Sequence, residues 1–156
     1  MRDSRITLIT AQPITISTNT TTYGNWIDLE DGYVGDHLYG TGPYGLPAEI
    51  MVNGVVTGTG DGFTLVCGWQ DSEDGANAKS SVNVGTFTID TDGNIQKTDG
   101  VTDLGLTRGK LSARLVTARR YARLYFTSAG ITGGETIDVQ AWVSDGTKKF
   151  NDGVVY

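Results

Sequence analysis

Arg119-Arg120-Tyr121-Ala122-Arg123-Leu124-Tyr125-Phe126-Thr127 changes character at every step. Side chains of an extended strand alternate between two faces, so this stretch specifies two surfaces of different chemistry. Arg120, Ala122, Leu124 and Phe126 fall on one face, which can end in a core through Leu124 and Phe126. Arg119, Tyr121, Arg123, Tyr125 and Thr127 fall on the other, and Tyr and Arg are residue types enriched where proteins meet. A strand of this kind points to a binding or structural protein rather than to an enzyme.

The same alternation recurs outward from this strand. Thr136-Ile137-Asp138-Val139-Gln140-Ala141-Trp142-Val143 turns Ile137, Val139, Ala141 and Val143 one way and Asp138, Gln140 and Trp142 the other. Upstream, strands are expected at Pro13–Thr18, Trp26–Leu29, Glu49–Thr57 with a bulge at Gly54, Phe63–Gln70 near a sheet centre, and Ser81–Asp90 with a register break at Gly85. Leu104–Leu106 and Leu111–Val116 complete the set. Asn19–Thr22 reads as a polar turn. Asp31-Gly32, Asp71–Gly75, Thr91–Asn94 and Asp145-Gly146 carry turn chemistry. Gly109–Arg123 is the best helical window and reads equally well as strand.

Glycine fills 22 of the 156 positions, about twice its usual share. Threonine also fills 22, against three prolines, a bias toward strands and tight turns. Eight to ten strands at intervals of roughly eight to twelve residues point to an antiparallel sandwich or barrel. The expected fold is all-β, an antiparallel jelly-roll sandwich with short N- and C-terminal arms. Residues 1–12 form an arm or edge strand, 13–146 the sandwich, and 147–156 a polar tail. No repeat period suggests a propeller or solenoid.

Net charge is −6 and the isoelectric point near 4.6, which argues against a nucleic-acid surface. The charge is uneven. Arg108, Lys110, Arg114, Arg119, Arg120 and Arg123 are half of the 12 Lys and Arg and lie within sixteen residues. A basic segment in an acidic body means either internal ion pairing between strands or head-to-tail contact between subunits. Cys67 is the only cysteine, so no disulfide framework exists, and its apolar neighbours make it a core residue. Neither a signal peptide nor a membrane span is expected.

No constellation of catalytic residues stands out. His37 is the only histidine, and no serine sits in a nucleophile-elbow context. One His and one Cys leave no His/Cys zinc site. Asp90-Thr91-Asp92-Gly93-Asn94 resembles the start of a calcium loop, but its twelfth position is Val101 rather than Glu, and Asp-Gly serves a hairpin turn on its own. Asp71, Glu73 and Asp74 read as a solvated acidic loop. Gly32–Pro47 holds Tyr33, Tyr39 and Tyr44 among glycines and prolines, a loop that either lies on its own sheet or contacts a neighbour. Trp26, Trp69 and Trp142 leave open a lectin-like module that stacks sugars. No cofactor or metal is expected.

Two groups of motifs resemble a known family. "ITAQPITIST" (residues 9–18) followed by "WIDLE" (26–30) and Asp31-Gly32 is one half; "RRYARLYF" (119–126), a Gly-rich gap and "TIDVQAWVSD" (136–145) is the other. Together they resemble the small capsid cement, or decoration, proteins of tailed bacteriophages, of the Bordetella-phage type. Residues 33–117 match only as generic β-sequence. The resemblance implies a jelly roll without enzymatic activity, assembled in the host cytoplasm and bound to the outer surface of an icosahedral shell. There it would bridge major capsid protein subunits and stabilise the capsid. Expected partners are the major capsid protein and the chain itself, as dimer or trimer, with no nucleic acid and no membrane. The expected contacts are Arg2, Arg5, Ile6 and Leu8 of the arm, Tyr33, Tyr39 and Tyr44 of the loop, and Tyr121, Arg123 and Tyr125 of the strand.

Overall fold

A computed structural model describes residues 14–29, 46–56, 62–91, 95–96 and 108–143. Ten strands and no helix occur among them: β1 (Ile14–Ile16), β2 (Thr21–Tyr23), β3 (Ile27–Asp28), β4 (Leu46–Val56), β5 (Phe63–Ser72), β6 (Ser80–Ile89), β7 (Ile95–Gln96), β8 (Arg108–Leu115), β9 (Tyr121–Ala129) and β10 (Glu135–Val143). They form two antiparallel sheets. The first has the order β1-β10-β4-β8; the second has the order β2-β9-β5-β6-β7, with β3 also pairing β9. The chain is an all-β sandwich.

Alternation decides which side chains go inside. Ala122, Leu124 and Phe126 of β9 are fully buried, as are Ile137, Val139 and Ala141 of β10. Phe63, Leu65, Cys67 and Trp69 of β5 join them, with Phe87 and Ile89 of β6, Ile50 of β4 and Leu115 of β8, in one cluster spanning both sheets. Burying each such Leu, Ile or Phe contributes roughly 1.5–3 kcal/mol relative to exposure. The sheets approach closely over β6 and β8: a side chain at Gly109 would begin 2.7 Å from the Phe87 ring. Glycine on β8 is what admits that ring.

The structure corrects several boundaries. Thr21 and Thr22 belong to β2 rather than to a turn, because Thr21–Tyr23 pair with Tyr125–Thr127 of β9. β4 begins at Leu46, earlier than expected. Pro47 is tolerated there as the second residue of the strand, where the missing N–H falls at a strand start. The register of β4 runs unbroken through Gly54, opposite Ile137, so no bulge forms there. The break in β6 does occur: Gly85 and Asn83 face Cys67 and Gly68 in turn, leaving Val84 as the extra residue. The window Gly109–Arg123 is strand, connection and strand. The expected strand Leu104–Leu106, the arm 1–12 and the tail 147–156 lie outside the described residues.

Candidate functional site

The outward face of β9 carries Tyr121, Arg123, Tyr125 and Thr127, each half-buried. Arg123 is the centre of this face. Its guanidinium lies 4.0 Å from the Tyr23 ring centroid and 4.2 Å from that of Trp26, so two aromatic rings are occupied by one cation. Nε and Nη2 of Arg123 both donate to Gln70 Oε1, at 3.0 and 2.8 Å. Gln70 Nε2 in turn donates to Ser81 Oγ at 2.9 Å. A continuous row therefore crosses the sheet from Tyr23 and Trp26 through β9 and β5 to Ser81 on β6. Partial burial lowers the Arg123 pKa, and the neighbouring Tyr23 acts in the opposite sense.

Tyr125 lies flat across Gly68 of β5. Its ring fills the space that any side chain at Gly68 would need, and Gly68 faces Tyr125 in the register. Tyr121 packs on the turn after β5, its ring 3.4 Å from where a side chain at Gly75 would begin. The three expected contact residues of β9 are thus brought together on one face, each held by its own sheet or turn. A surface held this way loses little side-chain entropy on meeting a partner. Tyr23, at 47% exposure, is the most open of the aromatic group.

The basic segment resolves into internal pairs at its C-terminal end. Arg120 grips Asp28 with two parallel bonds, Nε to Oδ1 at 3.0 Å and Nη2 to Oδ2 at 2.7 Å. Arg120 therefore leaves the core-facing row expected for it and ties β3 to the start of β9. Arg119 Nη1 donates to Asp71 Oδ2 at 3.0 Å, and its Nε stands 3.6 Å from Glu73. Asp71 is no solvated loop residue: it is 3% exposed. It accepts from Thr117 Oγ1 at 2.7 Å, from Arg119 and from Ser80 N at 3.0 Å. Its place at the inward-facing end of β5 explains the burial.

Beyond Asp71 the turn organises itself. Asp74 Oδ1 accepts from Ser72 Oγ and from the N–H groups of Ala76 and Asn77, and its Oδ2 accepts from Asn77 Nδ2. The Asn77 bonds, with those of Ala76 and Ser72, hold the Asp74 carboxyl well below the usual carboxylate range. In the facing sheet, at the start of β10, Glu135 is fully buried and accepts from Gly133 N at 2.7 Å and Thr132 Oγ1 at 3.1 Å. The Gly133 N–H is the main cause lowering its pKa. Burial pushes the Cys67 thiol up to about 12.

Trp69 is a core residue, so it presents no platform to a sugar. Trp26 has its ring against Arg123, and the Trp142 side chain falls outside the described set. Arg2, Arg5, Ile6, Leu8, Tyr33, His37, Tyr39 and Tyr44 also lie outside the described residues. Tyr23, Trp26 and Gln70 are members of the β9 face that sequence reading did not assign to it. The clue was local: Tyr23 ends β2 and Trp26 directly precedes β3, both strands must pair with something, and a cation on the alternate face of β9 was available. Compared with models of known protein families and with curated proteins, the chain matches none.

Proposed function

We propose that this chain is a non-enzymatic capsid cement protein that binds the outer surface of an icosahedral phage shell and bridges major capsid protein subunits. The observation that carries the reading is the strand order. β1 pairs β10, β2 and β3 pair β9, β4 pairs β8, and β5 pairs β6. Four antiparallel pairs nested one inside the next, alternating between two sheets, support a jelly roll, the fold that the resemblance of the terminal motifs implies. The braced Tyr121, Arg123 and Tyr125 face adds a rigid surface with the side chains that interfaces favour.

Cementing needs no pocket and no reacting group. It needs a rigid body that touches several subunits, and a symmetric oligomer multiplies weak single contacts by roughly 10²–10⁴ through effective concentration. The lectin-like alternative is disfavoured by two observations: Trp69 is in the core, and the inner faces of Tyr23 and Trp26 are taken by Arg123. The test is addition of purified protein to capsids that lack it. Bound protein should raise the temperature at which the shells open. No binding at micromolar concentration refutes the proposal, and saturable glycan binding would favour the alternative.

A further inference from the structure

Three arginines lie on or just before β9, and two of them meet carboxylates: Arg119 reaches Asp71 at 3.0 Å and Arg120 reaches Asp28 at 2.7 Å. Arg123 is held as firmly, but by neutral groups. Gln70 Oε1 accepts from Nε and from one N–H of Nη2, and the ring centroids of Tyr23 and Trp26 lie 4.0 and 4.2 Å from the guanidinium carbon. The Gln70 amide cannot turn away without losing its own bond to Ser81, so the guanidinium keeps one orientation. In that orientation the Nε side of the guanidinium is filled. The donors left over are the two of Nη1 and the second of Nη2, and they form the end fork, whose spacing matches the two oxygens of a carboxylate. Among the described residues no acceptor meets Nη1 and no carboxylate pairs with Arg123.

We propose that Arg123 is the anchor of the capsid contact and that its end fork takes a carboxylate, an Asp or Glu side chain of the major capsid protein. The inference rests on the cement reading, which supplies the partner, and adds the group that the partner must present. Partial burial strips water from this cation and lowers its pKa, and the influence opposing that is Tyr23 rather than a carboxylate. A partner's carboxylate would restore what burial removes. The chain's net charge of −6 disfavours a polyphosphate in that place.

The surroundings of Arg123 suit an anchor. Tyr121 and Tyr125 stand two residues to either side of it on the same strand face, both half-buried, and Tyr23 is exposed beside it. Aromatic side chains around a central charged pair exclude water from it once a partner closes over them. The pair then forms in a less polar setting than bulk water, where its attraction is stronger. Because Gln70 and the two rings already fix the guanidinium, little side-chain entropy is lost when the carboxylate arrives.

The test uses capsids that lack the chain. Arg123→Gln should weaken binding to them by about tenfold or more. Arg123→Lys keeps the charge and should bind more tightly than Arg123→Gln, with circular dichroism checking that both variants are folded. Arg123→Lys also puts an amine where the fork stood. A water-soluble carbodiimide should then join position 123 to an Asp or Glu of the major capsid protein, and mass spectrometry identifies which. A cross-link from position 123 to a carboxylate of this chain's own sequence, no cross-link to the capsid protein, or Arg123→Gln binding as tightly as wild type overturns the proposal. A second measurement needs no variant: phenylglyoxal, which modifies arginine, should label Arg123 in unbound wild type and spare it on the capsid. Equal labelling in the two states overturns the proposal as well. Wild type that binds no capsid at micromolar concentration removes the cement reading and this inference with it. Wild type that binds while position 123 gives no capsid cross-link removes the inference alone.

Discussion

Replacing Asp71 by Asn tests how the acidic and basic halves of this chain are reconciled. The substitution keeps volume and shape. It removes the charge and turns one acceptor oxygen into an NH2 group. Every group around Asp71 is a donor: Ser80 N at 3.0 Å on Oδ1, with Thr117 Oγ1 at 2.7 Å and Arg119 Nη1 at 3.0 Å on Oδ2. Whichever way the amide turns, a donor faces a donor. Thr117 cannot relieve this freely, because its oxygen already accepts the Arg119 N–H at 3.0 Å. Bonds to a charged acceptor contribute about 1.5–3 kcal/mol each. The Arg119 side chain is 36% exposed, so water replaces part of its share. The expected loss is about 2–3 kcal/mol, which at about 2–4 °C per kcal/mol for a chain of this size lowers Tm by roughly 4–12 °C. Urea unfolding followed by tryptophan fluorescence measures it. Thr117→Val alone should cost about 1 kcal/mol, and the double variant less than the sum, because the two share one network. A loss below about 1 kcal/mol for Asp71→Asn, or strict additivity, would refute the assignment of Asp71 as the buried hub.

Three further predictions come from the same structure. Arg123→Ala should destabilise the fold by about 2–3 kcal/mol through the lost Gln70 bonds and ring stacking, and Arg123→Lys should recover less than half because it lacks the planar fork; a loss within about 0.5 kcal/mol would show that Arg123 is idle in the monomer. Cys67 should not react with a thiol reagent at neutral pH until the protein unfolds, since burial keeps it protonated up to about 12; prompt labelling of native protein would contradict the core placement. Glu135 has a lowered folded pKa, so its contribution is present above the ordinary glutamate value of 4.5 and is lost as pH falls through the folded value. Wild type should therefore lose stability on acidification below that point and Glu135→Gln should lose less, and parallel pH profiles in denaturant melts would count against the assignment.

Fold class was legible because it rests on period-two alternation, and that signal is local. Leu124 and Phe126 went inside as alternation requires, and Phe63–Trp69 proved central because apolar residues recur along it at every second position. Strand ends were less legible. Thr21 and Thr22 look like turn residues until β9 pairs with them, and Pro47 looks like a loop residue until β8 is placed beside it. The β9 face was half legible. Tyr121, Arg123 and Tyr125 share a face by spacing alone, but their partners Tyr23, Trp26, Gln70 and Gly68 come from distant strands. Asp71 was misread for the same reason: in sequence it opens an acidic loop, whereas in the fold it closes the core end of β5. Net charge counted the basic residues but could not say which carboxylates face them, since Asp28 and Asp71 meet Arg120 and Arg119 only after folding.

The most direct test of the cement reading is an electron-microscopy map of phage particles assembled with this chain. Sandwich-shaped density is expected on the outer surface of the shell, bridging at least two major capsid protein subunits. Particles with no density for the chain outside the shell, or with density that touches a single subunit and bridges none, would contradict it.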